Sequence, residues 1–300
     1  MNIRHILTIG FVFSVIMMAL ATGSFLRYGL LFGVDVTGGT VMEVSFIAER
    51  PDVATVQAVL GAKADTPWAS ATVTPVNERG MIIRTAPITE AEHQLLLGAL
   101  KVGLPKNPLM EEKFDSIGPT IGGELKTKSI QAIIIVLVLV GLYIAWVFRR
   151  VGPVLSSWTM AFATLVGLIH DLIIPVGIFA YLGHVAHVEI GAVFVAALLT
   201  VLGYSISDTV VVFDRVRENI IRGNGRTSLD EIIPLSIRQT LVRSLNTTLT
   251  TLLSLFAVYF FGGESVKYFA LALILGIGLG AYSSVFVASP LLLWLSPRKR

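Results

Sequence analysis

The sequence predicts an all-α membrane bundle of six transmembrane helices, with an α+β ferredoxin-like domain inserted between the first and second spans. Hydrophobic residues make up 54% of the 300 residues and charged residues only 14%, whereas soluble chains are roughly 45–50% apolar and about 25% charged. The apolar residues also form six runs of the length, about 20 residues, that crosses a hydrocarbon core. A long polar stretch with strand and helix patterns separates the first two runs.

The first apolar run has two possible interpretations. It follows Arg4 and ends near small residues that resemble a signal-peptide cleavage site, but its length exceeds the ~7–15 residues of a signal h-region. We therefore expect a retained anchor, with a cleaved signal peptide as the alternative. The six predicted spans are Ile6–Leu26, Ile130–Phe148, Leu155–Leu182, Ile190–Phe213, Leu241–Phe261 and Tyr268–Leu295.

The positive charges predict the orientation. Cytoplasmic loops carry an excess of lysine and arginine, and on the other side of the six-span arrangement the short connections hold only Arg27 and Lys267. Both termini are therefore predicted to be cytoplasmic and the polar stretch extracytoplasmic. The arginine-rich loop 214–240 is either a membrane anchor or a partner site. The positive residues on the cytoplasmic side are Arg4, Arg149, Arg150, Arg215, Arg217, Arg222, Arg226, Arg238, Arg298, Lys299 and Arg300.

Three segments follow: a first helix (1–32), an extracytoplasmic domain (33–128) and a five-helix bundle (129–300). The domain reads strand, helix, strand, strand, helix, strand, which is the ferredoxin-like order. Thr89 and Glu92 have the spacing of a capping box, and His93 is expected to face solvent or to cap a helix. The predicted elements are Thr40–Ile47, Pro51–Ala62, Ala71–Val76, Met81–Thr85, a helix from Thr89 to about Val102, and Glu112–Ile117.

Charged residues within the spans are the candidate functional residues. A charge at the centre of a membrane helix costs about 2.5–3.5 kcal/mol even on the insertion scale, so it needs a partner, water or a function. Asp208 lies near the cytoplasmic end of the fourth span and Arg243 near the start of the fifth, so consecutive antiparallel helices place them at similar depth. Ser205 should share a face with Asp208, and Thr247 with Arg243.

Two roles for this pair remain open, a static ion pair and a proton relay. Arginine stays protonated, so Arg243 cannot carry the proton, but an aspartate can. Pairing with Arg243 would hold Asp208 ionised, and separation would let it accept a proton. His170 and Asp171, one turn before Pro175, either pack the bundle at a kink or serve as auxiliary relay groups.

The remaining patterns exclude several function classes. The net charge is only +3 and no basic run is interleaved with aromatic residues, so nucleic acid is not an expected partner. The chain has no cysteine and no Gly-x-x-x-x-Gly-Lys-Ser/Thr sequence, so thiolate metal sites and P-loop nucleotide binding are excluded. We expect no enzymatic activity, no metal at His184 and His187, and no cofactor other than protons as the coupling ion.

Six segments spread along the chain carry distinctive motifs. They are Gly33–Thr40, Ile117–Pro119 leading to Glu124–Leu125, His170–Asp171, Gly203–Arg215, Arg243–Thr248 and Tyr282–Ser284. These motifs resemble those of the SecF family, the accessory subunits of the bacterial Sec protein translocon, and the match covers nearly the whole chain. Ser207 departs from the pattern, since the family usually has asparagine there.

The resemblance implies a bundle related to the RND transporters, in the bacterial inner membrane, paired with the similar subunit SecD. It further implies that this complex works with SecYEG, using the proton gradient to move the translocating preprotein outward after SecA-driven insertion, with Asp208 and Arg243 in proton coupling. The domain would then be periplasmic and the chain a stand-alone SecF. The alternatives are half of an RND-type small-molecule or lipid exporter, and a non-transporting scaffold.

Overall fold

The computed structural model describes residues 3–62, 65–149, 151, 155–223 and 227–296. Positions 150, 226 and 298–300 of the predicted cytoplasmic charge set lie outside them. The chain divides into two compact units, of which one is Phe32–Ser129 and the other combines the preceding helix with the described residues from Ile130 onward.

The helices and strands have the following bounds. The strands are β1 (Gly39–Phe46), β2 (Thr72–Val76), β3 (Gly80–Thr85) and β4 (Leu109–Ile117). The helices are α1 (Ile3–Tyr28), α2 (Val34–Thr37), α3 (Val53–Gly61), α4 (Glu90–Gly103), α5 (Pro119–Val147), α6 (Ser157–Ala186), α7 (Ala192–Arg222), α8 (Leu229–Phe261), α9 (Glu264–Ser283) and α10 (Ser289–Leu295), with a π-helical segment Ser284–Ala288 between the last two.

The smaller unit has the predicted ferredoxin-like order. Its sheet runs β2-β3-β1-β4, and each neighbouring pair is antiparallel. Alternate residues of β1, such as Met42 and Val44, are fully buried, and they pack with residues of α3 and α4 in one core. The alternation read from the sequence therefore gives the correct buried face of the strand.

The predicted capping box in this unit is confirmed, and one predicted helix begins two residues later than expected. The Thr89 hydroxyl and the Glu92 carboxylate form the reciprocal capping box of α4. α3 begins at Val53 with Asp52 as its N-cap, so Pro51 precedes the helix and does not open it.

The expectation that His93 faces solvent or caps a helix is wrong, because its side chain is buried. Its ring stacks on Phe114 at 3.7 Å between centroids. Nε2 lies 2.8 Å from Oε1 of Glu111, and Nδ1 lies 3.2 Å from Oε1 of Glu90. His93 therefore connects α4 to β4, which an isolated histidine on an amphipathic helix does not predict.

Gly38 explains one of the sequence motifs in structural terms. Its φ of +75° is unfavourable for residues with a side chain, and a Cβ there would lie 2.5 Å from Cα of Pro119. The Gly33–Thr40 and Gly118–Pro119 segments therefore meet in one close backbone contact.

Six of the described helices are long and apolar enough to cross a membrane by length and composition. The fold class predicted from the sequence is thus confirmed. These candidate spans are Arg4–Tyr28, Pro119–Val147, Ser157–Ala186, Ala192–Arg222, Leu229–Phe261 and Val266–Leu295.

The segment expected as a loop between the fourth and fifth spans is largely helical. α7 continues to Arg222, and α8 already begins at Leu229. Hydropathy identifies only the part of a helix that is compatible with lipid. Both helices continue beyond that part as helices with polar residues, so the loop is shorter than expected. Asn219 on α7 joins them there by donating to Ser236 Oγ at 2.9 Å.

Candidate functional site

Polar contacts between α7 and α8 fix how these antiparallel helices face one another. The hydroxyls of Tyr204 and Thr251 are 3.1 Å apart. About four turns nearer the start of α8, Asn219 contacts Ser236. Asp208 lies between these contacts, which places it within the helix pair.

Asp208 is buried, and hydroxyl groups of α8 face its carboxylate. The Thr248 hydroxyl donates to Asp208 Oδ2 at 3.3 Å, and Asp208 is 6% exposed. Ser244 precedes Thr248 by one turn and is also buried on that face of α8. Neutral hydroxyl groups stabilise a carboxylate anion less than a positively charged partner would.

Arg243 is close to Asp208 in depth but does not pair with it. By the register of the polar contacts it lies about one turn, roughly 5–6 Å, beyond the level of Asp208. Its side chain is exposed on the surface of this chain, and among the described residues no ion pair includes it. The predicted pairing is thus absent from this conformation, although the predicted similarity in depth holds.

A second carboxylate, Asp171, lies deeper in the bundle and has far more partners. Its Oδ2 accepts hydrogen bonds from Ser205 Oγ on α7 at 2.6 Å and from Ser283 Oγ on α9 at 2.7 Å. Its Oδ1 lies 2.8 Å from Nδ1 of His170. Asp171 and His170 are each 0% exposed, so three helices meet at one enclosed polar cluster.

Small residues on α9 permit this meeting of helices. A Cβ on Gly276 would lie 2.2 Å from Val201 Cγ2, and a Cβ on Gly280 would lie 2.9 Å from Ser205 Cβ. Both glycines therefore let α9 approach α7 closely, as small-xxx-small pairs do in membranes. Ser283 follows Gly280 by one turn and reaches Asp171 from this position.

The backbone beside Asp171 is irregular on two helices. Pro175 lies within α6, and because proline has no N–H it cannot donate to the carbonyl of residue 171, one turn earlier. Directly after Ser283 the chain enters the π-helical segment Ser284–Ala288, where Ser289 Oγ donates to the Ser284 carbonyl at 2.7 Å. Such segments occur frequently at functional sites.

The predicted site residues thus separate into two groups. Asp208 and Arg243 lie at the α7–α8 side, whereas His170, Asp171 and Ser205 form the inner cluster. Ser205 was expected to share a face with Asp208, but its hydroxyl bonds Asp171. The Thr247 hydroxyl donates to the Arg243 carbonyl at 2.9 Å and its side chain is exposed, so Thr247 reaches neither carboxylate.

Sequence reasoning did not assign a role to Ser283 or to Thr248. Both are hydroxyl residues on apolar helices, and each becomes meaningful only when a neighbouring helix brings a carboxylate to it. Tyr282 also gains its partner from another helix, since its hydroxyl donates to the Gly10 carbonyl at 2.7 Å and links α9 to α1. Within the described ranges there is no cluster of three or more His, Cys, Asp or Glu that could hold a metal ion.

Known proteins resemble this chain over most of its length. Residues 105–298 match the family described as protein export membrane protein SecD/SecF, C-terminal. The protein translocase subunit SecF of Thermobaculum terrenum is 39% identical over 89% of this chain and 85% of its own length. The SecF subunit of Vibrio alginolyticus is 37% identical over 97% of this chain and 88% of its own length.

A solved structure shares the fold. The crystal structure of SecDF from Thermus thermophilus, a translocon-associated membrane protein, matches with a TM-score of 0.81 and 32% identity over 98% of this chain. This chain spans 38% of the length of that SecDF chain. The fold and the family similarity therefore extend through both units.

Proposed function

Because the chain belongs to the SecF family of protein translocase subunits, we propose that it couples the proton motive force to Sec-dependent protein export. It is a multi-pass membrane protein and an accessory subunit of Sec protein translocation. Proton coupling, the partner SecD, and action on the preprotein at SecYEG after SecA-driven insertion are the parts we propose.

The observation that carries the proposal is the buried Asp208 with Arg243 close in depth but in no ion pair among the described residues. An ionised aspartate at this depth costs several kcal/mol without a partner. Approach of the Arg243 guanidinium would favour the anion, and its withdrawal would favour the neutral acid. The pair therefore has the two states that a proton-carrying cycle requires, with Asp208 as the carrier and Arg243 as a fixed positive charge.

The energy available from a membrane potential is of the same order as the cost of a charge in the membrane. Each elementary charge that crosses a potential of 100 mV releases about 2.3 kcal/mol. This is similar to the cost of about 2.5–3.5 kcal/mol for a charge at the centre of a membrane helix. Proton movement down the gradient can thus drive a change in helix position. Protons are the only coupling species the proposal needs, and it involves no other cofactor and no enzymatic step.

The exposed polar face of α8 supports a membrane-embedded partner. Arg243, Asn246, Thr247 and Thr250 are exposed on this chain although they lie within a candidate span. Facing lipid, an arginine would be costly. A second subunit, SecD in our proposal, would cover this face and supply the surroundings in which Arg243 changes position.

The charge distribution supports an inner-membrane orientation with both termini in the cytoplasm. The Phe32–Ser129 unit would then face the periplasm, where an exported polypeptide emerges. Movement of a proton inward through Asp208 is energetically downhill in this orientation, and movement of a polypeptide outward is the work it would drive.

An export measurement with matched variants tests this proposal. Asp208→Asn keeps the shape of the side chain but cannot release a proton, so proton-gradient-dependent export of a preprotein into inverted membrane vesicles should be lost. Asp214→Asn is the matched control, since Asp214 lies on the same helix but is exposed and pairs with Arg217 at 3.3 Å. Full gradient-dependent export with the Asp208 variant would contradict the proposal.

Two other functions remain testable against this one. Half of an RND-type exporter would transport small molecules or lipids, so substrate flux without any preprotein would favour it. A scaffold for the translocon would tolerate loss of both charges as long as the complex forms. Neither alternative is favoured by a specific contact in the described residues.

A further inference from the structure

The inner cluster contains a proton-accepting atom that a relay through Asp208 and Arg243 does not use. Nε2 of His170 is buried and has no hydrogen-bond partner among the described residues, although Nδ1 of the same ring contacts Asp171. We propose that the His170–Asp171 pair is a second proton-binding site, with Nε2 of His170 as the atom that takes the proton. This inference rests on the proposed function, because a second proton-binding site has a role only in a proton-coupled protein.

The hydrogen bonds indicate which partner carries the negative charge. Two serine hydroxyls donate to Oδ2 of Asp171, and His170 Nδ1 lies at bonding distance from Oδ1. Two arrangements fit these contacts: an ionised carboxylate that accepts all three bonds, or a protonated one that donates from Oδ1 to Nδ1. In the second arrangement the hydrogen of the imidazole would sit on Nε2, which is buried and has no partner among the described residues. A buried N–H without an acceptor is costly, so we assign the negative charge to Asp171 and the hydrogen to Nδ1 of His170.

The proton balance follows from that assignment. With its hydrogen on Nδ1, the neutral imidazole has a free lone pair on Nε2, and the pair carries one negative charge. A proton arriving at Nε2 produces an imidazolium beside a carboxylate, and the net charge becomes zero. Each exchange takes one proton from water and returns one, and no bond between heavy atoms changes.

Among the described residues, the side chains that face this pair from neighbouring helices are uncharged. Ser205 faces it from α7 and Ser283 from α9, while the Tyr282 ring lies parallel to the His170 ring at 6.3 Å between centroids. The other elements that pack on α6 are α1, α9, α10, the π-helical segment and the later part of α5. No charged residue occurs in the parts of these elements that lie within the apolar spans. These parts are α1 and α9 between their first and last turns, α5 after residue 128, α10 and the π-helical segment.

α7 connects this pair with the proposed relay. Asp208 follows Ser205 by one helical turn on α7, so α7 places a charged residue one turn away from the serine that bonds Asp171. Ser205 holds Asp171, and Asp208 contacts Thr248 on α8. A change of charge at His170–Asp171 should therefore alter the position of α7 or the field at Asp208, and protonation at the two sites should be coupled.

The test follows the protonation of His170 directly. The full chain, with ¹⁵N-labelled histidine and ¹³C-labelled aspartate, is reconstituted in phosphatidylcholine vesicles and titrated by solid-state NMR. The His170 signal is identified by its contact with the Asp171 carboxyl. As pH falls, Nε2 should change from unprotonated to protonated while Nδ1 remains protonated. An Nε2 that does not titrate while the protein stays folded would overturn the proposal.

Matched variants give a second measurement. His170→Asn retains a donor near Asp171 but has no atom in place of Nε2, so proton uptake after a pH step should fall by one proton per chain. His184→Asn, in the outer segment where His184 stacks on Tyr28, controls for loss of an unrelated histidine. The His184→Asn variant shows how much uptake changes when an unrelated histidine is removed. If His170→Asn takes up as many protons as the wild type, the proposed site is refuted.

The coupling is tested separately from the proposed function. In Asp208→Asn the midpoint of the His170 titration should shift, and an unchanged midpoint would refute the coupling. The NMR titration does not depend on export. If Asp208→Asn retains export while His170 still titrates, the proposed relay fails and the second site stands; a silent His170 with lost export gives the reverse outcome.

Discussion

Replacement of Gly280 by alanine should separate α9 from α7 at the inner cluster. A Cβ at this position would lie 2.9 Å from Cβ and 3.0 Å from Cα of Ser205, whereas carbon atoms prefer about 3.5–4.0 Å. Since one of these atoms is backbone, the helices would have to move apart by about 0.5–1 Å. Overpacking of this kind costs about 1–3 kcal/mol.

Gly278→Ala is the matched control, because a Cβ there meets nothing within 4 Å. Both variants gain the same helix propensity, about 1 kcal/mol, so their difference isolates the contact with Ser205. With the Tm change of about 2–4 °C per kcal/mol that is typical of 150–250 residues, Gly280→Ala should melt roughly 2–12 °C below Gly278→Ala. Thermal unfolding of the full chain in detergent measures this difference. Equal melting temperatures would refute the close packing of α9 on α7.

Three further predictions concern hydrogen bonds. Ser205→Ala and Ser283→Ala each remove a donor to the buried Asp171 carboxylate, so each should cost about 1.5–3 kcal/mol in thermal unfolding, whereas Ser207→Ala, exposed on α7, should change little. Thr89→Ala removes the N-cap of α4 and should cost about 0.5–2 kcal/mol, seen as faster amide hydrogen exchange in its first turn. The Thr89 backbone N–H and then its hydroxyl hold the pKa of Glu92 below its ordinary value. This capping contribution is present above the ordinary pKa of Glu92 and is lost as pH falls through the lowered one, so exchange protection corrected for intrinsic rates should decline only in acid; protection that declines near neutral pH would contradict the assignment.

The features that the sequence predicted well depend on neighbours along the chain. The capping box of Thr89 and Glu92 and the alternation of β1 involve residues a few positions apart, so their patterns can be read directly. The six spans are equally local, because hydropathy over about 20 residues determines whether a helix suits lipid. The ferredoxin-like order then followed from the sequence of elements.

The contacts of the candidate site depend on other helices, and here the sequence was a poorer guide. Ser205 and Asp208 are one turn apart, but residues three positions apart point about 60° away from each other around a helix axis. That difference is enough for Ser205 to face α6 and Asp208 to face α8. Ser283 and Thr248 were missed for a different reason, because each hydroxyl meets its carboxylate only when another helix packs against it.

Buried polar residues in the smaller unit show the same limit. His93 has no sequence neighbour that predicts its burial, since Phe114 and Glu111 come from β4. Likewise, the ends of α7 and α8 extend beyond the apolar spans, because a helix does not have to end where its lipid-compatible segment ends.

Proton movement through the reconstituted complex of this chain with SecD tests the central claim most directly. A membrane potential, positive outside, is imposed on vesicles that contain the complex and a pH indicator in the lumen. The account predicts proton flux for the wild type and for Asp214→Asn, and none above the level of protein-free vesicles for Asp208→Asn. Undiminished flux in Asp208→Asn would contradict a role of this carboxylate as the proton carrier.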